Sequence, residues 1–158
     1  MKVAVQWQDN MTFVGKPDSG FVVQMDADSS FGGTNNGVRP MELVALGLAG
    51  CTAMDVISIM QKKRQPVTQF EVRVNAPRSA EHPKVFTHAL ITYVVTGKNV
   101  DESALLRSIE LAATKYCPAQ FMLAQVFPME IHYEIYEEQE DATPRLTSQG
   151  SWQALSVE

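Results

Sequence analysis

The sequence is poor in the groups that mark specialised classes of protein. It holds 2 cysteines among 158 residues, too few for a disulfide scaffold. There is no Cys-x-x-Cys pair, and neither Cys51 nor Cys117 stands at metal-ligand spacing from a histidine. The 3 histidines, His82, His88 and His132, are scattered, whereas a zinc site needs a tighter set. Neither a metal nor another cofactor is therefore expected. Positive charge is also short: Lys plus Arg is 13 against 18 for Asp plus Glu, a net charge of −5. A phosphate-neutralising surface needs the opposite balance, so no nucleic acid partner is expected. The longest nearly apolar run, Leu43 to Met54, is bounded by Glu42 and Asp55 and falls short of the about 20 residues that cross a bilayer. Met1 to Trp7 carries no apolar core with a small-residue cleavage site. These absences predict a soluble, cytoplasmic protein without a membrane partner. No internal repeat is found.

What is present is ordinary globular sequence: 45% hydrophobic and 20% charged residues, of a length that suits one domain. Val3, Val5 and Trp7 alternate with polar neighbours and predict a strand, with a turn at Asp9-Asn10, a second strand over Met11 to Val14 and a third over Phe21 to Met25. The Gly-rich stretch from Asp26 to Gly37 matches neither phosphate-binding glycine pattern and predicts a flexible connection. Pro40 and Glu42 suit a helix start, Lys62, Lys63 and Arg64 suit its end, and Pro66 stops it. From Leu43 to Met60 almost every face is apolar, so a helix over about 40 to 64 is predicted to be buried on all sides. At roughly 37 Å long it is more than one small chain can cover, which points to a dimer. Strands are predicted over Phe70 to Val74, Val85 to Val95 and Met129 to Tyr136, with helices over Asp101 to Tyr116 and Pro118 to Val126. Strands and helices are segregated along the chain, which gives an α+β class. Residues 1–136 form the domain. Glu137 to Glu158, rich in Glu, Thr, Pro, Ser and Gln and including Asp141, reads as an acidic, extended or disordered tail that Trp152 and Leu155 could dock.

The cysteines carry the candidate chemistry. Cys117 precedes Pro118, which suits the first turn of a helix, so Cys117 falls at the N-cap, where backbone N–H groups favour a thiolate, with Lys115 adding positive potential. A buried cysteine acting as a small hydrophobe fits the same position. Cys51 follows Ala49-Gly50 in mid-helix, where small residues allow close approach by another chain. Asp55, one turn on, lies on the same face and raises a thiol's proton affinity, so activating Cys51 needs an opposing cation. Arg39, held by Glu42, is the candidate. Glu42 and Cys51 are nine residues apart, roughly 13 Å along one helix. A shared site therefore requires Arg39 and Glu42 from a second, antiparallel chain. Otherwise both residues simply start the helix.

The run Arg39-Pro40-Met41-Glu42-Leu43-Val44-Ala45-Leu46-Gly47-Leu48-Ala49-Gly50-Cys51-Thr52, followed by Lys115-Tyr116-Cys117-Pro118, resembles the OsmC/Ohr superfamily. So do the Val-x-Trp strand, the proline-terminated helix and Phe86-Thr87-His88. The similarity is greatest to the YhfA-like branch. It implies an OsmC-like fold of antiparallel sheets wrapped around long central helices, an intertwined homodimer with sites at the interface, and thiol-dependent reduction of organic hydroperoxides in oxidative stress defence. By position Cys51 would attack the peroxide and Cys117 would resolve it to a disulfide, which an external dithiol reduces. The chain departs from the Ohr pattern in two places. Met41 stands where the Ohr glutamate follows the helix-start proline, and the first hairpin, Phe13 to Lys16, lacks the Ohr arginine. Two other readings fit the residues: a dimeric protein binding an apolar ligand beside Met41, Met54, Phe121 and Met122, and a thiol redox protein acting on disulfides or persulfides.

Overall fold

A computed structural model describes residues 1–140 and 142–153. The chain divides into two compact units, Met1–Leu46 and Gly47–Glu158.

The first unit is an antiparallel sheet in the order β1 (Val3–Asp9), β2 (Thr12–Pro17), β3 (Val23–Met25). Asn10 at φ 43° closes the first hairpin, a conformation that asparagine tolerates better than most residues. β3 starts at Val23, later than the pattern predicted. β2 pairs with it only over Phe13 to Gly15, and Phe21 and Val22 stay exposed. The connection after β3 is organised around one buried carboxylate. Asp26 accepts hydrogen bonds from the backbone N–H of Ala27 (2.7 Å), Thr34 (2.9 Å) and Asn36 (3.0 Å) and from the Thr34 hydroxyl (2.6 Å). The Thr34 hydroxyl and these amides hold its carboxyl well below the usual range. Gly33 lies where a Cβ would run into the Ala27 carbonyl.

Helix α1 (Pro40–Lys62) continues into the second unit. By length and composition it would suffice to cross a bilayer. Only one of its faces is buried, through Leu48, Thr52, Val56 and Met60, each four residues from the last. Within one chain Val44, Leu46 and Met54 are exposed, Met54 by 73%, so burial on all sides would need a second chain. The helix ends two residues earlier than predicted, where Arg64 takes φ 55° and the Gln65 N–H returns to the Met60 carbonyl at 3.0 Å.

The second unit is built on a four-stranded sheet in the order β4 (Val67–Asn75), β5 (Ala89–Gly97), β6 (Met129–Gln139), β7 (Ala142–Trp152). The sheet is not antiparallel throughout, contrary to expectation: β5 and β6 run parallel, because the chain between them makes a crossover through α2 (Glu102–Leu111), a π-helical turn (Ala112–Tyr116) and α3 (Pro118–Leu123). Period-2 alternation sends Ile91, Tyr93 and Val95 of β5 to the core, directly paired with Ile131, Tyr133 and Ile135 of β6. Leu105 and Ile109 of α2 pack on the same cluster. β5 begins four residues later than predicted. Residues 85–88 are instead tied to 77–79, with the Thr87 N–H on the Pro77 carbonyl and the Ser79 N–H on the Val85 carbonyl, both at 2.9 Å.

The segment after Tyr136 differs most from expectation. β6 runs on to Gln139, and β7 pairs antiparallel with it from Gln139↔Ala142 to Ile131↔Trp152. Within the stretch expected as a tail, β7 therefore adds the fourth strand of this sheet. Its polar side chains misled the sequence reading because a sheet edge is held by backbone hydrogen bonds and a few contacts, which hydropathy does not report. The Tyr133 and Ser148 hydroxyls both donate to Glu102 Oε1, joining β6 and β7 to α2. Asp141 and Leu155 lie outside the described residues. Gly150 sits against the Tyr133 ring, where a Cβ would come within 2.7 Å of the hydroxyl oxygen. Gly150→Ala is therefore expected to cost about 1–3 kcal/mol, the usual penalty of overpacking, measured by urea unfolding. A neutral result would mean that β7 does not pack on Tyr133.

Candidate active site

Cys51 lies on α1 beside Thr52, and it is Thr52 that is completely buried. A buried hydroxyl must find polar partners. Thr52 Oγ1 shares a hydrogen bond with the Tyr93 hydroxyl at the centre of β5 and donates to Gln120 Oε1 of α3 at 3.3 Å. Tyr93 is itself fully buried, which strongly raises its phenolic proton affinity. These three side chains tie α1, β5 and α3 together, and each cysteine lies close in sequence to one of them.

The crossover presents Cys117 to α1. Its N–H reaches back to the Ala112 carbonyl at 2.9 Å, closing the π-helical turn, and Pro118 opens α3. Cys117 is the N-cap of α3, and its sulfur accepts the Gln120 backbone N–H at 3.4 Å. Both cysteines are free thiols; Cys51 is half-buried and Cys117 buried. The sulfurs of Cys51 and Cys117 and a carboxylate oxygen of Asp55 all lie within 4.8 Å of one another. Two thiols and a carboxylate so placed can form a disulfide, exchange a proton, or ligate a soft cation.

The electrostatics correct one sequence expectation. An N-cap position favours a thiolate, but Cys117 is only 2% exposed. Burial pushes its thiol up to about 11, and the neighbouring Cys51 and Asp55 push the same way against the single Gln120 N–H. Desolvation outweighs one hydrogen bond from a short helix. Lys115 lies over its neighbour Tyr116, 5.4 Å from the ring centroid, and does not oppose the rise. Burial also raises the Asp55 carboxyl. Among the described residues, no salt bridge pairs a cation with Asp55.

Arg39 and Glu42 belong to the first unit, where they build the start of α1. The Arg39 N–H donates to Glu42 Oε2 at 2.9 Å, the return arm of a capping box. The Arg39 guanidinium donates to the Gly37 carbonyl at 2.9 Å and to Asn35 Oδ1, and stands 3.8 Å from Asp28. Sequence reasoning identified both cysteines and weighed Asp55, but missed Thr52, Tyr93 and Gln120. The available signal was weak: Thr52 and Tyr93 put hydroxyls inside an apolar helix and an apolar strand, but Ser58, Thr92 and Thr96 do the same. Beside Cys117 a groove of about 340 Å³ is lined by Tyr116, Pro118, Phe121 and Met122. It includes two of the four residues expected around an apolar ligand.

The chain matches the family described as OsmC-like protein over residues 33–132. Protein YhfA of Escherichia coli (strain K12) is 36% identical over 135 residues, 85% of this chain and 98% of that protein. Among solved structures, a hypothetical protein from Aquifex aeolicus VF5 is similar with a TM-score of 0.76 and 28% identity, over 87% of this chain and 97% of that one. An organic hydroperoxide resistance protein from Elizabethkingia anophelis shares the fold with a TM-score of 0.62 and 14% identity, over 86% and 94% of the two chains.

A buried thiol raised to about 11 predicts selective labelling. At pH 7 iodoacetamide should modify Cys51 well ahead of Cys117 in the reduced protein, read by peptide mass mapping. Cys117 labelling should climb about tenfold per pH unit as the thiolate fraction grows. The sign for stability follows: the neutral thiol favours the fold below the ordinary value of 9.0, and this contribution fades as pH rises toward about 11. Equal labelling of both cysteines at pH 7 would contradict the burial argument.

Proposed function

Because the chain belongs to the OsmC-like protein family, we propose that it is a cysteine-based reductase of organic hydroperoxides that works through a Cys51–Cys117 thiol/disulfide cycle in oxidative stress defence. The observation that carries this reading is the approach of the two sulfurs to within 4.8 Å from separate helices. Cys51 is the more accessible thiol and takes the role of attacker. Its sulfur bonds to the outer peroxide oxygen, the O–O bond breaks, and the alcohol leaves, which makes Cys51 a sulfenic acid. The Cys117 thiol then attacks the Cys51 sulfur, and water leaves as the disulfide forms. An external dithiol restores both thiols. The apolar groove beside Cys117 suits an organic peroxide better than hydrogen peroxide.

The reading includes a cytoplasmic homodimer with the site at its interface, in which Arg39 and Glu42 come from the second chain to activate Cys51. The exposed apolar residues of α1, Val44, Leu46 and Met54, support a dimer. Size-exclusion chromatography with light scattering should give twice the mass of one chain, and a monomer at micromolar concentration would remove the interface from the mechanism.

The deciding experiment is intact mass and free-thiol count before and after one equivalent of cumene hydroperoxide, with peptide mapping. The expected result is loss of two hydrogens and of both thiols within seconds, mapped to Cys51–Cys117, with Cys51→Ser inert. Two unreacted thiols after minutes would overturn the peroxidase reading and turn the search to ligands of the groove.

A further inference from the structure

Disulfide chemistry needs two sulfurs, yet the site brings three donors together. Asp55 is one helical turn from Cys51 on α1, so the two side chains share a face. The same i, i+4 spacing places paired metal ligands on a helix in many zinc sites. Cys117 arrives from α3, held in position by the π-helical turn on one side and the Gln120 N–H on the other. All three donor atoms lie within 4.8 Å of one another; small side-chain shifts would bring them to the roughly 3.3–3.8 Å separations of a tetrahedral ion with bonds of roughly 2.0–2.3 Å. Cys117 and Asp55 are partly or wholly buried, and among the described residues no salt bridge neutralises the carboxylate. Histidine spacing gave no hint of this set, because none of the three donors is a histidine.

We propose that the reduced protein binds one Zn2+-type soft divalent cation through Cys51 Sγ, Cys117 Sγ and the Asp55 carboxylate, with a fourth position open to water. Two sulfurs select zinc over magnesium or calcium, which prefer all-oxygen sites. Three protein ligands leave the coordination open, as in zinc sites that exchange a ligand. Binding releases the proton of each thiol to solvent. It gives Asp55 a partner and overcomes the burial that otherwise keeps Cys117 protonated. A bound ion also holds both sulfurs as ligands, so the Cys51–Cys117 disulfide forms only as the ion leaves. The inference rests on the donor set and not on the peroxidase reading, and its test contains no peroxide.

The test uses the full chain without an affinity tag, freshly reduced and desalted. Zn2+ is titrated in competition with a chromophoric chelator, and Co2+ serves as the spectroscopic probe. The expected result is one equivalent bound, with a thiolate-to-cobalt charge-transfer band and the intense visible bands of a tetrahedral ion. Asp55→Asn, nearly the same size, should weaken Zn2+ binding by at least about tenfold, since loss of even an outer-shell partner costs that much. Cys51→Ser should lose the one-equivalent binding. Asp55→Asn decides the matter if the cysteine variant fails to fold. Unchanged affinity in Asp55→Asn, or no competition by the wild-type protein, overturns the proposal. A wild-type protein that binds Zn2+ but, when metal-free, keeps both thiols in the separate cumene hydroperoxide experiment would sink the peroxidase reading and leave this one standing.

Discussion

A hydroxyl buried away from water has to be satisfied by the protein itself. Three residues meet that requirement beside the two cysteines, and the site depends on them. Thr52 faces the core from α1, Tyr93 stands in the middle of β5, and Gln120 reaches in from α3. Thr52 is common to both bonds, so losing its hydroxyl would leave buried polar groups on Tyr93 and Gln120 unpaired, at a cost of about 1–3 kcal/mol each. Cys51 precedes Thr52 and Cys117 precedes Gln120 by three residues, so the same bonds that satisfy the core fix the helices that carry the two sulfurs.

The sheet makes this possible. The parallel pairing of β5 and β6 forces a crossover, and the crossover carries Cys117. Had the two strands been joined by a tight hairpin, there would be no α2, no π-helical turn and no α3 to present the second thiol. Ile91, Tyr93 and Val95 facing Ile131, Tyr133 and Ile135 supply the apolar floor beneath the crossover. β7 closes the far side of that sheet through Ser148, Tyr133 and Glu102.

The site's electrostatics are set by burial more than by the helix start. Two thiols and a carboxylate gather with Lys115 turned to Tyr116. Burial, with Cys51 and Asp55 beside it, disfavours charge on Cys117, and burial disfavours charge on Asp55. The arrangement therefore gains from positive charge brought from outside Gly47–Glu158, whether a metal ion or a guanidinium from a second chain. Arg39 in its own unit is held by Asn35, Gly37 and Asp28.

The sequence alone determined the α+β class, the start and near end of α1 and the hairpin at Asn10, and it singled out the two cysteines that the fold brings together. These are local matters: proline and charge at helix ends, period-2 alternation in strands, and a Cys-Pro step that caps a helix wherever the rest of the chain goes. It did not foresee β7, because an edge strand is held by backbone bonds and a few contacts. Only the tertiary structure decided that Thr52, Tyr93 and Gln120 meet, that Asp55 joins both sulfurs, and that Cys117 keeps its proton. Those outcomes depend on distances between residues tens of positions apart and on the loss of water around them, and neither quantity is written in the local order of side chains.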